Sequence, residues 1–334
     1  MGSHTEVVCL GEALTDLVSL RSGIGLERAH GFRMAAGGAP ANVAVGVRRL
    51  GRRAAFLGAV GGDSLGTFLR EELRKYRVDI SGVVRVRHRQ TALALVSLKA
   101  DSDRDFLFYG HPPAHLGLRL TRQMRSIIRG ATILHYGSIS LIRDPARRAT
   151  LSATQEAHRG GRFCSYDPNI RLNLWPDART ARRRIWEGLL HADCVKVSKE
   201  ELSFLTGRHS VELGLRAVVN AGPRLAVATL GPEGCAYYSS AGEGKVAGFP
   251  ARVVDTTGAG DAFMAGMLVG LLETSPNPSL ALPDGLVLEA ILRFANAAAA
   301  LSTEHCGGIP SLPSRRKVVA FLRARGVRPV SHLG

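Results

Sequence analysis

Short apolar runs alternate with longer segments of helical period along most of this chain, and this alternation restricts the fold more than any other feature. The apolar runs lie at 7–10, 54–60, 132–136, 163–166, 194–197 and 225–230. Helical patterns lie at 41–50, 65–76, 147–158, 180–190 and 286–301. Strand-then-helix alternation over this length predicts an α/β fold with a mostly parallel central sheet and helices on both faces.

Two stretches, at about 17–34 and 90–112, break this rhythm because they show strand-like alternation without an intervening helix. In the second, 91–98 and 105–109 flank the polar segment 99–104, a pattern that predicts a β-hairpin. Hairpins that project from an α/β body predict a small β-sheet lid, which can exclude water from an active site. We therefore expect one domain over 5–323 that includes this lid.

Several classes of protein are disfavoured by composition. No stretch approaches the roughly 20 apolar residues that span a bilayer, and no secretory signal pattern opens the sequence. The five cysteines are scattered without a CxxC pair, which argues against a disulfide framework or a structural zinc site. We expect a cytoplasmic protein without a membrane partner.

The net charge of +16 raises the alternative of a nucleic-acid binder, which would show a steeply salt-dependent affinity for DNA or RNA. The arginine clusters at 147–148, 182–184 and 315–317 lie in segments that read as amphipathic helices, where charges commonly form the solvated face. No RNP-type aromatic motif, zinc finger or basic tail accompanies them. We therefore expect no nucleic-acid partner, although the charge would attract phosphorylated ligands.

The most specific motif is the run DTTGAGDAF at 255–263, which opens a helical apolar segment. Main-chain N–H groups of Gly258, Ala259 and Gly260 at a helix start can bind an anion. Asp261 would lie beside a bound phosphate, where it can accept the proton of an attacking hydroxyl as a catalytic base. The run is not a Walker A loop, since GxxxxGK(S/T) is absent. Alone, Gly-Ala-Gly could equally be a structural turn.

A second glycine-rich run, GGAPANVAVGVRRLG, lies at 37–51. Gly37 and Gly38 permit close approach of the backbone to a ligand, and Pro40 suits the first turn of a helix. Asn42 can both donate to and accept from sugar hydroxyls. Taken alone, this run could equally be a structural helix entry.

Together, and in this order, the two runs resemble the signatures of the PfkB (ribokinase-like) carbohydrate kinase family, and the resemblance extends from about residue 7 to about residue 313. It implies a ribokinase-like fold and an ATP- and Mg²⁺-dependent enzyme that phosphorylates a sugar hydroxyl, with Asp261 as its base. The segment GEALTD at 11–16 resembles the first strand of the family, where Asp16 would bind sugar hydroxyls.

The resemblance also implies contacts at the nucleotide end. TLGPEG at 229–234 is similar to a nucleotide-side turn, and SKEE at 198–201 aligns with the NxxE motif, with serine in place of asparagine. Glu201 would orient magnesium indirectly, through its waters. The residues implied to contact ATP are Ser198, Thr229, Gly231, Gly234, Gly260 and Asn296.

Two further features follow from the same resemblance. Asp255, Thr257, Gly307 and Ser311 line up near the monovalent-cation loop of many relatives, which implies a potassium site. Arg77 stands where relatives usually have glycine, a departure expected to alter a turn only slightly.

The substrate end resembles the fructokinase branch of the family, in the run YDPNIRLNLW at 166–175 and in the lid strands that carry Arg104. Arg171 can hold phosphate oxygens, bind the sugar or pair with Asp167. We expect fructose as the substrate. A 2-keto-3-deoxygluconate kinase, whose substrate carboxylate Arg104 and Arg171 would hold, or a ribokinase are the alternatives. A non-catalytic regulatory relative would need neither Asp261 nor the glycines. Relatives often dimerise through their lids, which implies a homodimer.

Overall fold

The computed structural model of the chain describes residues 5–21, 23–98, 104–110, 112–275, 277–279 and 281–327. The strands are β1 (Val7–Gly11), β2 (Leu14–Ser19), β3 (Phe32–Gly37), β4 (Ala54–Gly61), β5 (Val83–Val86), β6 (Leu93–Leu98), β7 (Arg104–Tyr109), β8 (Ile133–Gly137), β9 (Phe163–Asp167), β10 (Cys194–Ser198), β11 (Leu225–Thr229), β12 (Gly234–Ser239) and β13 (Gly242–Ala247). The helices are α1 (Ala39–Arg49), α2 (Ser64–Lys75), α3 (Arg122–Arg129), α4 (Ala146–Arg159), α5 (Ala178–Leu189), α6 (Lys199–Thr206), α7 (Val211–Asn220), α8 (Ala259–Thr274), α9 (Gly285–Ser302), α10 (Gly308–Ser311) and α11 (Arg315–Arg323).

A nine-stranded sheet in the order β13-β12-β11-β10-β9-β8-β1-β4-β5 forms the body of the protein. The strands from β11 to β5 in this order run parallel. At the other edge, β12 pairs antiparallel with both β11 and β13. The predicted α/β fold with a mostly parallel sheet is therefore confirmed.

Helices cover both faces of this sheet, as the central strand β1 shows. Val7 and Cys9 face the core that includes α1, α8 and α9, whereas Val8 and Leu10 face the core that includes α3, α4 and α5. All four side chains are fully buried. A strand buried on both faces needs apolar residues at every position, which explains why the sequence showed continuous runs instead of alternation.

The small second sheet has the order β3-β2-β6-β7. Its strands β6 and β7 pair antiparallel, as the hairpin pattern predicted, and β2 pairs antiparallel with β3 and parallel with β6. The turn of the predicted hairpin, at 99–103, lies outside the described residues. The strand β3 leads directly into α1, whereas Thr91, before β6, is bonded to Gly61 and Asp63 at the end of β4.

Helix α8 occupies the centre of one core and brings its first turn to the site. Glycines let α1 and α9 pack closely against α8. A β-carbon on Gly266 of α8 would lie 2.9 Å from the Ala295 α-carbon of α9, and one on Gly46 of α1 would lie 2.6 Å from the Ala265 β-carbon of α8. Its partner α9 is long and apolar enough to cross a membrane by length and composition, but 56% of it is buried inside the protein. Such burial is typical of a core helix.

The turn after α2 is formed by Arg77, which has φ +60°, in the left-handed region that favours glycine. The Arg77 N–H donates to the carbonyl of Arg74, and the Val78 N–H donates to that of Leu73. Arg77 therefore occupies a turn position of the kind that favours glycine, with both turn hydrogen bonds formed.

Candidate active site

One cavity of about 170 Å³ lies between the two sheets, at the carboxyl ends of the parallel strands. Ligands of open α/β sheets bind at this edge. The first turns of α1 and α8 reach the cavity from one side, and β2, β6 and β7 of the small sheet close it from another. The predicted site residues that line it are Asp16, Gly38, Asn42, Arg171, Thr257, Gly258, Gly260 and Asp261.

The start of α8 supplies donors for an anion. Gly258 has φ +82° and lies against Gly308, a position where a side chain would be strained. Among the described residues, the N–H groups of Gly258, Gly260 and Asp261 have no main-chain acceptor. The prediction for Ala259 needs correction, because its N–H donates to the carbonyl of Thr256 at 3.2 Å and is therefore not free.

Asp261 is held at the cavity by a hydrogen bond from a residue that is distant in the sequence. The Asn42 side-chain amide donates to Asp261 Oδ2 at 2.7 Å, and the Asp261 side chain is buried. Burial raises the pKa of Asp261 to about 6, with Asp167 adding to the shift and with Asn42, Lys196 and Arg171 opposing it. A carboxyl group with this pKa is mostly ionised at neutral pH and can accept a proton there.

This pKa predicts the pH dependence of turnover. We expect kcat/KM to fall about tenfold per pH unit below pH ~6, where Asp261 is protonated and cannot act as a base, and to level off above it. The measurement is kcat/KM for sugar phosphorylation between pH 5 and 8.5. A rate that stays constant down to pH 5 would contradict a base with a raised pKa.

A buried ion pair that the sequence did not predict lies under the start of α8. Lys196 Nζ is 2.9 Å from Asp167 Oδ2, and both side chains are less than a tenth exposed. A β-carbon on Gly260 would stand 2.9 Å from Lys196 Nζ, so glycine is what lets the ammonium group approach the free N–H groups. Burial alone would lower the pKa of Lys196, but Asp167 and Glu201 raise it, and the lysine stays charged.

The opposite end of the cavity carries the residues predicted for the sugar. A β-carbon on Gly37 would collide with the Asp16 carboxylate, so glycine at this position leaves room for the carboxylate. Arg171 is exposed, lines the cavity and donates to the Ile170 carbonyl at 3.0 Å. The side chain of Arg104 lies outside the described part of the structure, so its predicted contact stays a prediction.

The residues predicted for ATP lie along the same sheet edge. Ser198 and Thr229 end neighbouring strands and are paired in register. Gly231 and Gly234 have φ values of +62° and +100° in the turn that follows. The Asn296 amide donates to the carbonyls of Val246 and Ala247, both at 3.1 Å, so its nitrogen is already bonded.

Glu201 is held rigidly at the start of α6. Its two carboxylate oxygens accept the N–H groups of Ser198 and Ile170, at 2.8 and 2.6 Å, and the Ser198 hydroxyl accepts the Glu201 N–H. Burial raises the pKa of Glu201, with Asp167 adding to the shift and Lys196 opposing it. Each oxygen keeps a second lone pair, with which this fixed carboxylate can accept a hydrogen bond from water bound to a metal ion.

The residues predicted for potassium lie in two segments that are joined by hydrogen bonds of Asp255. Asp255 Oδ1 accepts the N–H and the hydroxyl of Thr257, and Asp255 Oδ2 accepts the Gly307 N–H at 2.8 Å. Ser311 instead donates its hydroxyl to the Gly308 carbonyl. This bridge fixes the segment before α8 against the segment before α10.

The family described as pfkB family carbohydrate kinase matches residues 4–315. The sequence is 43% identical over 323 residues to the probable fructokinase-7 of Arabidopsis thaliana, which covers 96% of this chain and 93% of that protein.

Solved structures of similar proteins share the fold across nearly the whole chain. The fructokinase of Xylella fastidiosa, solved with bound ATP, superposes with a TM-score of 0.87 at 32% identity and covers 97% of this chain and 100% of that one. The fructokinase of Vibrio cholerae O395, solved with fructose, ADP and a calcium ion, gives a TM-score of 0.82 at 32% identity and covers 96% of this chain and 99% of that one.

Proposed function

The chain belongs to the pfkB family of carbohydrate kinases, and from this premise we propose that it is a fructokinase, which transfers the γ-phosphate of ATP to a hydroxyl group of fructose. The observation that carries the proposal is the cavity in which a carboxylate, Asp261, meets the N–H groups of Gly258 and Gly260, which have no main-chain acceptor among the described residues. A base beside an anion site is what phosphoryl transfer to an alcohol requires.

The proposed reaction uses these groups in sequence. The sugar binds against Asp16, Gly38 and Asn42, and the small sheet excludes water from the site. The reactive hydroxyl of the sugar loses its proton to the Asp261 carboxylate as the hydroxyl oxygen bonds to the γ-phosphorus. The bond between that phosphorus and the bridging oxygen breaks, and ADP leaves with this oxygen.

The charge of the transferring group is balanced by donors at the start of α8. The N–H groups of Gly258 and Gly260 and the Lys196 ammonium line the same cavity as Asp261, where they can donate to the oxygens of a transferring phosphoryl group. Fixed donors in such a site stabilise developing charge without having to reorient. We therefore assign transition-state stabilisation to Lys196 in addition to Gly258 and Gly260.

For ATP we propose contacts from Ser198, Thr229, Gly231 and Gly234, and from Asn296 through its oxygen or its packing. Magnesium, when bound, neutralises phosphate charge. Glu201 fits an indirect role toward it, since its fixed carboxylate can still accept hydrogen bonds from water bound to the ion. For potassium we propose main-chain carbonyls of the bridged loops that contain Asp255, Thr257, Gly307 and Ser311.

The charges in the cavity favour a neutral sugar over a sugar acid. The lining includes four acidic side chains, those of Glu12, Asp16, Asp167 and Asp261, and burial raises the pKa of Glu12 to about 7. Among the described side chains, only Lys196 and Arg171 oppose them, and Lys196 is already paired with Asp167. A polyol donates its hydroxyl hydrogens to such acceptors, whereas a substrate carboxylate would be repelled. This balance supports fructose over 2-keto-3-deoxygluconate.

We also propose a homodimer through the small sheet in a cytoplasmic protein. Leu20, Met34, Leu107 and Tyr109 on or beside this sheet are each at least 45% exposed, and a second copy could cover them. A monomer in light scattering at micromolar concentration would contradict the dimer.

The cysteines are all free within the described chain, which suits a reducing compartment such as the cytoplasm.

A substrate panel tests the proposed function. With ATP, Mg²⁺ and K⁺, we expect kcat/KM for fructose to exceed that for ribose, 2-keto-3-deoxygluconate and adenosine, because the cavity offers acceptors to a neutral polyol. The measurement is a coupled ADP assay, repeated with Na⁺ in place of K⁺ and without Mg²⁺. A preference for 2-keto-3-deoxygluconate would overturn fructose as the substrate. Turnover with none of the four would favour the regulatory alternative.

A further inference from the structure

Glu12 is a buried acid at the cavity to which neither the proposed reaction nor the sequence motifs give a role. It follows β1 at the point where the chain crosses from the large sheet to the small one, and it is 2% exposed. Its carboxylate Oε1 accepts the N–H of Ala39 at 3.1 Å. Within the described residues, Oε2 has no hydrogen-bond partner although it is buried.

The group that Glu12 holds is the first N–H of α1. The N-cap of this helix, Gly38, has no side chain with which to cap it, and the next residue after Ala39 is Pro40, which has no N–H. Glu12 therefore supplies, from the segment between β1 and β2, the acceptor that a capping residue normally supplies. Burial raises the pKa of Glu12 to about 7, and Oε1 can accept this bond in either protonation state. A β-carbon on Gly38 would lie 2.5 Å from the Glu12 carbonyl oxygen, so the two segments are in close contact.

The same first turn of α1 carries Asn42, whose amide donates to Asp261. The Asn42 N–H donates to the Gly38 carbonyl, so the side chain that holds the base is one helical turn from the N-cap. A continuous set of bonds thus runs from Glu12 through Ala39 and α1 to Asn42 and Asp261. The carboxylate of Glu12 also lines the cavity itself.

We propose that Glu12 is a positioning residue for phosphoryl transfer, which fixes the start of α1 so that Asn42 holds Asp261 in line with the substrate hydroxyl. This rests on the proposed sugar kinase function. Small misplacements of a catalytic group are costly, of the order of 10²-fold in rate for about 1 Å.

The test is a double-mutant cycle between Glu12 and Asn42, with kcat as the measured quantity. Glu12→Ala removes the acceptor and is expected to lower kcat by about 10- to 100-fold. Glu12→Gln keeps an oxygen for the Ala39 N–H and should retain most of the parent rate. If Glu12 acts through Asn42, its removal should cost little more in an Asn42→Ala background, because residues in one network are not additive. Glu12→Asp, which withdraws the carboxylate by one methylene, replaces Glu12→Ala in the cycle if the latter fails to fold.

Asp177→Ala is the matched control, since it removes a helix-capping carboxylate that accepts from the Thr180 N–H outside the cavity. It should lower the melting temperature without changing kcat. Equal losses in Glu12→Gln and Glu12→Ala, or effects of Glu12 and Asn42 that multiply, would overturn the proposal. A parent protein that phosphorylates none of the sugars would refute the proposed function instead, before the Glu12 variants are compared.

Discussion

Replacing Asp261 with asparagine is expected to lower kcat by about 10²- to 10⁴-fold, the usual contribution of a general base. Asparagine has nearly the same shape and can still accept the hydrogen bond from Asn42 through its oxygen, but it cannot take the hydroxyl proton. The melting temperature should stay level or rise, because burial disfavours the charged carboxylate, as its raised pKa shows. Steady-state kinetics and thermal melting measure the two effects.

Two comparisons make the Asp261 result specific. Asp284→Asn changes a helix-capping acid that accepts from the Val287 N–H and is not part of the cavity lining, and it should leave kcat unchanged. Calorimetry should show that Asp261→Asn still binds ATP and sugar. A variant that turns over within about tenfold of the parent would rule out Asp261 as the base.

Replacing Lys196 with methionine is expected to reduce both turnover and stability. The loss of a fixed positive group at the phosphoryl site should lower kcat by about 10²- to 10³-fold. The Asp167 carboxylate would remain buried without its partner, which costs about 3–5 kcal/mol of unfolding free energy. Denaturant unfolding and initial-rate kinetics report these two losses separately.

A second variant separates the two roles of Lys196. In Lys196→Met/Asp167→Asn the buried pair becomes neutral, so most of the lost stability should return. Turnover should stay low, because no ammonium group remains beside Gly260. If kcat recovers together with stability, Lys196 is only the counter-ion of Asp167, and its role in catalysis is refuted.

The fold could be predicted largely because burial sets the sequence pattern. Strands covered on both faces, such as β1 and β8, have continuous apolar runs, and the small sheet shows the alternation of half-exposed strands. The antiparallel edge formed by β12 and β13 was not predicted, since short apolar strands do not reveal the direction in which they pair.

The candidate site was predictable where a local motif sets it and unpredictable where tertiary contacts do. Asn42 and Asp261, 219 residues apart, were each identified from a glycine-rich helix start. Lys196 belongs to no phosphate or sugar motif, and Glu12 lies in the sugar-end run at 11–16 without a role that the run assigns to it. The roles of both depend on neighbours from other elements. A lysine within the buried strand β10 was the one available signal, because a buried charge needs a partner. The bonded N–H of Ala259 depends on turn geometry that no residue type specifies.

Phosphorylation at this site requires that one acid beside unpaired main-chain N–H groups couples the cleavage of ATP to a sugar alcohol. The most direct measurement is the ratio of fructose phosphate to ADP formed by the parent protein and by Asp261→Asn, followed together by ³¹P NMR. The parent should form one fructose phosphate for each ADP, and both products should fall together in the variant. ADP that accumulates without sugar phosphate, or at the parent rate in the variant, would contradict the account.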